Sequence, residues 1–108
     1  MPLIVYSLQF DNDIMKVDNE LDAFFYNVPQ NQPSLQEYRR NLRHFQDLER
    51  FKDTVDGISS GQRSLAKATV GVILSGRTVC ILAHGPWRGY FQVMNDGTIV
   101  GLQFIDCR

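Results

Sequence analysis

TVGVILSGRTVCILAHGPWRGYFQVMNDGTIVGLQFI, residues 69–105, is the stretch that decides the fold. Thr69 to Leu74 is a short, continuous run of β-branched and aliphatic residues, which reads as a buried strand. Ser75-Gly76 suits a two-residue hairpin turn, and Thr78 to Ala83 is the return strand. His84-Gly85-Pro86-Trp87 forms a loop, and Gly89 to Met94 is the third strand. Asp96-Gly97 is the strongest hairpin signal in the chain, and Thr98 to Ile105 completes a four-stranded antiparallel meander.

Upstream, Leu3 to Phe10 starts apolar and then alternates, so it predicts a strand. Asp11-Asn12-Asp13 ends it and offers caps for a helix. Ile14, Val17, Leu21, Phe24 and Phe25 then recur at helical spacing until Asn27-Val28-Pro29, where proline stops the ladder. After a loop over Gln30 to Pro33, Ser34-Leu35-Gln36-Glu37 is a capping box. Leu35, Tyr38, Leu42 and Phe45 fall in one arc of the following helix, and Leu48, Phe51, Val55 and Ile58 in a roughly opposite arc. Either the helix over 34–58 kinks or breaks near Phe45–Leu48, or its second half packs on something else, such as a partner chain. A kink or two helices is the simpler choice. Gly57, Ser59, Ser60 and Gly61 end it. The expected fold class is therefore α+β: an N-terminal strand and two to three helices packed on a four-stranded antiparallel meander, with residues 1–108 as one domain.

Composition narrows the function. A hydrophobic content of 44% and an aromatic content of 11% suffice for a core without disulfide or metal staples. A net charge of -1 gives no global attraction to nucleic acid or anionic membrane, so nucleic-acid binding would need a local arginine patch. Cys80, inside Val79-Cys80-Ile81-Leu82, reads as a small buried hydrophobe, and Cys107 as a free thiol; neither belongs to a C-x-x-C pair. The opening Met-Pro-Leu-Ile-Val-Tyr lacks the marks of a signal peptide, and no apolar run suits a membrane span. A reducing, cytoplasmic setting is expected, with no metal and no cofactor.

Two clusters carry candidate chemistry. Residues 1–33 hold Asp11, Asp13, Asp18, Glu20 and Asp22 against Lys16 alone, whereas residues 34–67 hold seven Lys or Arg against five Asp or Glu. There Arg39, Arg43 and Arg50 share a stripe, with Arg40 beside it, suited to phosphates or an acidic partner face. The competing reading is a solvated helix laced with Asp47 and Glu49. His84, Trp87 and Arg88 flank a Gly-Pro turn and would stack on and hydrogen-bond a base or a carboxylate. The competing reading is a tight turn whose tryptophan caps the core. His44 reads as exposed. A Cys80–His84 dyad would be stretched to roughly 13 Å by strand rise, beyond hydrogen-bond reach. No phosphate-binding loop, dinucleotide fingerprint, nucleophile elbow or calcium loop is present.

From Thr78 onward the chain resembles the C-terminal part of the RelE/ParE family of small bacterial toxins. The resemblance rests on Pro86-Trp87-Arg88-Gly89-Tyr90-Phe91-Gln92-Val93, the polar turn Asn95-Asp96-Gly97, and the apolar strand from Ile99 to Arg108. It implies a first strand, two helices and a meander, and, for the mRNA-cleaving branch, Arg88 and Arg108 as catalytic candidates, with His84 nearby. The chain departs from the family in its near-neutral charge, in Pro86 where a glycine is usual, and in lacking a tyrosine after Arg108. A second resemblance, to cystatin-like domains, rests on the order of elements, a sheet wrapped around an N-terminal helix, and on the Pro86-Trp87 turn; the glutamine-valine-glycine loop of those domains is absent.

The function these observations favour is a small non-enzymatic protein-binding module, of the inhibitor or immunity type found in bacteria and phages, blocking a larger protein partner. Tyr26, Tyr38, Trp87 and Tyr90 would supply interface anchors, together with Arg88 and the Arg39–Arg43–Arg50 stripe. A RelE/ParE-like toxin is the alternative, and requires Arg88, Arg108 and Arg39 or Arg43 to converge on one concave face. An enzyme of another type would need His84 in a closed pocket.

Overall fold

A computed structural model describes residues 3–108. The elements run β1 (Ile4–Tyr6), α1 (Leu8–Tyr26), the single turn α2 (Val28–Asn31), α3 (Leu35–Ser59), the single turn α4 (Leu65–Ala68), β2 (Val70–Leu74), β3 (Arg77–His84), β4 (Trp87–Val93) and β5 (Ile99–Asp106). The α+β class holds. The sheet, however, has five strands in the order β1-β5-β4-β3-β2, and it is mixed. The expected four-stranded antiparallel meander is present as β2 to β5, but β1 joins its edge instead of packing on it. The reason is hydrogen-bond demand. A short extended segment leaves backbone groups unpaired, and β5 offers an open edge. Ile99 N–H donates to Leu3 O at 2.8 Å, and Ser7 N–H to Gly101 O at 2.9 Å. β1 therefore runs parallel to β5, Ile4 beside Ile99 and Tyr6 beside Gly101. A methyl on Gly101 would lie 2.7 Å from the Tyr6 ring, so the glycine makes room for this approach.

The first strand is also shorter than the alternation suggests. Ser7 Oγ accepts from Phe10 N–H at 3.0 Å and donates to Leu102 O at 2.8 Å. This cap starts the helix four residues earlier than Asp11 would, and Asp11 lies within the first turn of α1. Phe10, Val17 and Leu21 then form the buried stripe of α1, facing the sheet.

The second helix is one uninterrupted rod of 25 residues, capped as expected by Ser34 Oγ accepting from Glu37 N–H at 3.1 Å. Apart from Leu35, which is exposed, its two apolar arcs meet two neighbours in the same chain, so neither a kink nor a second chain is needed. Leu48, Phe51, Val55 and Ile58 are buried against the sheet. Tyr38 and Phe45 meet Phe25 of α1 edge-on, at 5.7 and 5.8 Å between ring centroids. The two helices form an antiparallel hairpin, cross-linked by Lys52 Nζ to Asp18 Oδ1 at 2.5 Å.

In the sheet, Ser75 and Gly76 both take positive φ (52° and 76°), the geometry of a twisted two-residue hairpin. The second loop is tighter than expected: His84 pairs with Trp87, leaving Gly85-Pro86 as the connection, so Trp87 and Arg88 belong to β4. Strand alternation puts Cys80, Leu82, Trp87, Gly89, Phe91 and Phe104 on the helix side, where one core cluster forms.

Candidate functional site

The loop cluster separates when placed on this sheet. Trp87 is wholly buried. Its indole N–H donates to His44 O on α3 at 2.9 Å, and its ring stacks on Phe104 with centroids 5.9 Å apart. The Arg108 guanidinium covers the outer face of the indole, 5.1 Å from its centroid, and reaches Glu20 of α1 and Asp106, each at 2.6 Å. Two carboxylates hold the Arg108 proton firmly; burial pushes Asp106 up, but the hydrogen bonds and charge of the same arginine together outweigh it and keep Asp106 below the usual carboxylate range. Trp87 is thus a core plug that locks the C-terminal strand to both helices, and it presents no surface for a partner.

Arg88 points the other way. Its neighbours in register are Ala83 and Ile105, on the face opposite the helices. Its guanidinium turns back onto the loop and donates to Gly85 O at 2.6 Å and Trp87 O at 2.9 Å. Arg88 and Arg108 therefore lie on opposite sides of the sheet. Arg39 and Arg43 are exposed on α3, and Arg50 is paired with Asp47 at 3.2 Å. The convergence of arginines that the toxin resemblance implies is not formed.

His84 is half-buried on the helix side, edge-on to Phe51. Thr54 Oγ1 donates to Arg50 O at 2.9 Å. The same hydroxyl lies 3.1 Å from His84 Nε2, a contact whose donor is set by the ring's tautomer. Burial depresses the pKa of His84, against the pull of Asp47 and with the help of Arg50 and Arg63. The ring is tied to Thr54 and Phe51 of α3 rather than opening on a pocket. The cavity of about 120 Å³ between α1 and α3 is lined by Tyr6, Phe10, Ile14, Phe51, Lys52 and Val55 among others, and His84 is not among them. Burial, with Asp56 and Asp11 nearby, pushes the Tyr6 phenol at its rim up to about 12, so it stays protonated. His44, expected in solvent, is half-buried against Trp87, and its Nδ1 has no hydrogen-bond partner. Burial, Arg108 and Arg40 depress its pKa. Cys80 is half-buried beside the core and Cys107 is an exposed thiol. Among the described residues no three metal-ligating side chains gather, and no helix is long and apolar enough to cross a membrane.

No protein-family model, curated protein or solved structure matches this chain.

The surface that stands out lies where the sequence suggested burial. β2 reads as a core strand, yet it is the free edge of the sheet. Val70 is 69% exposed, Ile73 77% and Leu74 45%. The residues flanking a two-residue turn exchange hydrogen bonds, so Leu74, Val72 and Val70 direct their N–H and C=O groups to β3. Gly71 and Ile73 consequently direct theirs outward, to solvent. The usual guards of an edge (proline, inward charge, a bulge) are missing from Val70–Leu74. Behind this edge, the sheet face away from the helices is also uncovered and largely apolar. Val72, Val79, Ile81, Tyr90, Val100 and Ile105 lie on it by register. There a concavity of about 300 Å³ is lined by Leu74, Val79, Tyr90 and Leu102, with Arg77, Gln92, Gln103 and, from the first turn of α1, Gln9 as its polar residues. Val79 is buried at its floor yet belongs to no part of the main core. Of the aromatic candidates, Tyr90 reaches this surface; Tyr26 is exposed near the far end of α1 and Tyr38 is engaged with Phe25. No local signal in the sequence separates an apolar edge strand from an apolar core strand.

Proposed function

We propose that the protein is a small protein-binding module, of inhibitor or immunity type, which engages a larger partner through the open face of its sheet and the free edge of β2. One observation carries this reading: an uncovered apolar sheet face runs without interruption into an unguarded apolar edge strand. Contiguous apolar surface of this kind marks interaction sites in folded proteins, and an open edge supplies backbone hydrogen bonds as well. The separation of Arg88, Arg108 and His84 favours docking over chemistry at the loop.

The test is reconstitution. A candidate partner captured with the wild-type chain is purified and titrated back at defined stoichiometry, and amide hydrogen exchange is followed on both proteins. Protection at Gly71, Ile73 and the concavity around Val79, lost together with binding in a Val70→Lys/Ile73→Lys variant, is the expected result. Protection confined to the Arg39–Arg43 stripe of α3 would overturn this assignment of the surface.

A further inference from the structure

The chemistry of the edge narrows what can occupy it. We propose that the occupant of the β2 edge is an extended segment of the partner, a short apolar run with carboxylates on both flanks, which adds to the sheet as a sixth strand. This rests on the docking surface proposed above and specifies its ligand class.

Three observations support it. The outward N–H and C=O groups of Gly71 and Ile73 present one ladder to an incoming strand. A methyl built on Gly71 meets nothing within 4 Å, so a partner side chain has room beside Ile73. Charge supplies the third. Between Gly57 and Asn95 the chain has four cations, Arg63, Lys67, Arg77 and Arg88, and no carboxylate. Arg63 and Lys67 line a shallow depression just before β2 begins, and Arg77 follows directly after the turn that ends it. The apolar edge is thus bracketed by positive charge at both ends. A second copy fits less well. Antiparallel self-pairing about Val72 matches Gly71 with Ile73 of the other copy, but the same symmetry brings each Lys67 toward the other copy's Arg77. Like charges facing across a strand pair are destabilising.

The test uses the full chain, isotopically labelled, and two synthetic peptides, Asp-Glu-Val-Thr-Val-Thr-Val-Glu-Asp and Lys-Arg-Val-Thr-Val-Thr-Val-Arg-Lys. The acidic peptide is expected to bind at least about tenfold more tightly than the basic one, with amide shifts centred on Gly71 and Ile73. Raising salt from 50 to 500 mM should weaken it several-fold by screening. Ile73→Pro removes one outward N–H without touching the bonds to β3, so the variant should fold, by circular dichroism and melting, yet lose the peptide. Lys67→Glu/Arg77→Glu should invert the preference. Equal binding of both peptides at β2 would overturn the acidic assignment and leave the docking surface standing. Shifts on α3 with none at β2 would overturn both. Self-association that Ile73→Pro abolishes would identify a second copy as the occupant and overturn the proposal. So would displacement of the acidic peptide by a single-stranded uridine dodecamer binding at Arg63, Lys67 and Arg77.

Discussion

Replacing Trp87 with phenylalanine discriminates a core plug from an interface anchor. The indole is fully buried, so the substitution leaves a void of about 40 Å³, which costs about 1 kcal/mol at the usual dependence on cavity volume. Loss of the 2.9 Å bond to His44 O adds about 1 kcal/mol. The smaller ring also loses part of its attraction to Arg108, about 0.5 kcal/mol at a partly screened site. The total is about 2.5 kcal/mol, equivalent to a fall in melting temperature of roughly 10 °C for a domain of this size. Urea unfolding followed by circular dichroism should show the midpoint falling by more than about 1 M with an unchanged slope. Trp87 is the one tryptophan in the chain, so wild-type fluorescence supplies an independent check: blue-shifted emission poorly quenched by acrylamide. A loss under about 0.5 kcal/mol, the range of surface changes, would refute the assignment of Trp87 to the core.

Other consequences are equally open to measurement. Gly85→Ala should cost about 2 kcal/mol or more in urea unfolding, because Gly85 has φ +54° and its new methyl would strike the Asp47 carboxylate; pairing it with Asp47→Ala should recover part of the loss. His44 and His84 both have depressed pKa values in the fold, so the unfolded chain takes up protons first as pH falls. The stability they contribute is present above about pH 6.5 and lost below it; a urea midpoint falling from pH 6.5 to 5 should flatten in His44→Gln/His84→Gln. Arg108→Ala should cost about 1 kcal/mol, since Glu20 is 45% exposed and the pairs are partly screened. That cost should shrink in 0.5 M salt when the two melting curves are compared.

What the sequence reveals here is what neighbouring residues decide among themselves. Ser75-Gly76 and Asp96-Gly97 were legible because turn geometry is local; Gly97 takes φ +88° and Asp96 Oδ1 accepts from Thr98 N–H at 2.9 Å. The two arcs of α3 were legible as periodicity, but not the fact that one continuous helix feeds both, because the second arc is answered by strands more than twenty residues away. The parallel union of β1 and β5 depends on contacts nearly a hundred residues apart and leaves no local trace. β2 misleads for a related reason: Val70 to Leu74 has the composition of a core strand, and only its place in the strand order shows that it faces water. Ser7, the cap that shortens β1, is visible as a cap type, but Asp11, Asn12 and Asp13 compete for the same role. At the loop, residue identities suggested a cluster of His84, Trp87 and Arg88. Alternation along β4 then sends Trp87 inward and Arg88 outward.

The position of β1 also sets an order in time. On the ribosome β1 has no strand to pair with until β5 has been made. Until then Ile4–Tyr6 and the underside of α1, with Phe10 at its start, wait with their apolar surface uncovered, while β2, β3 and β4 can already zip through short connections. Closure of this sheet should therefore be late, with β5 entering between β4 and β1 and Gly101 admitting Tyr6. Chains that stall before residue 99 would leave β4 as a second bare edge beside that of β2, and the burden of such intermediates is association with one another.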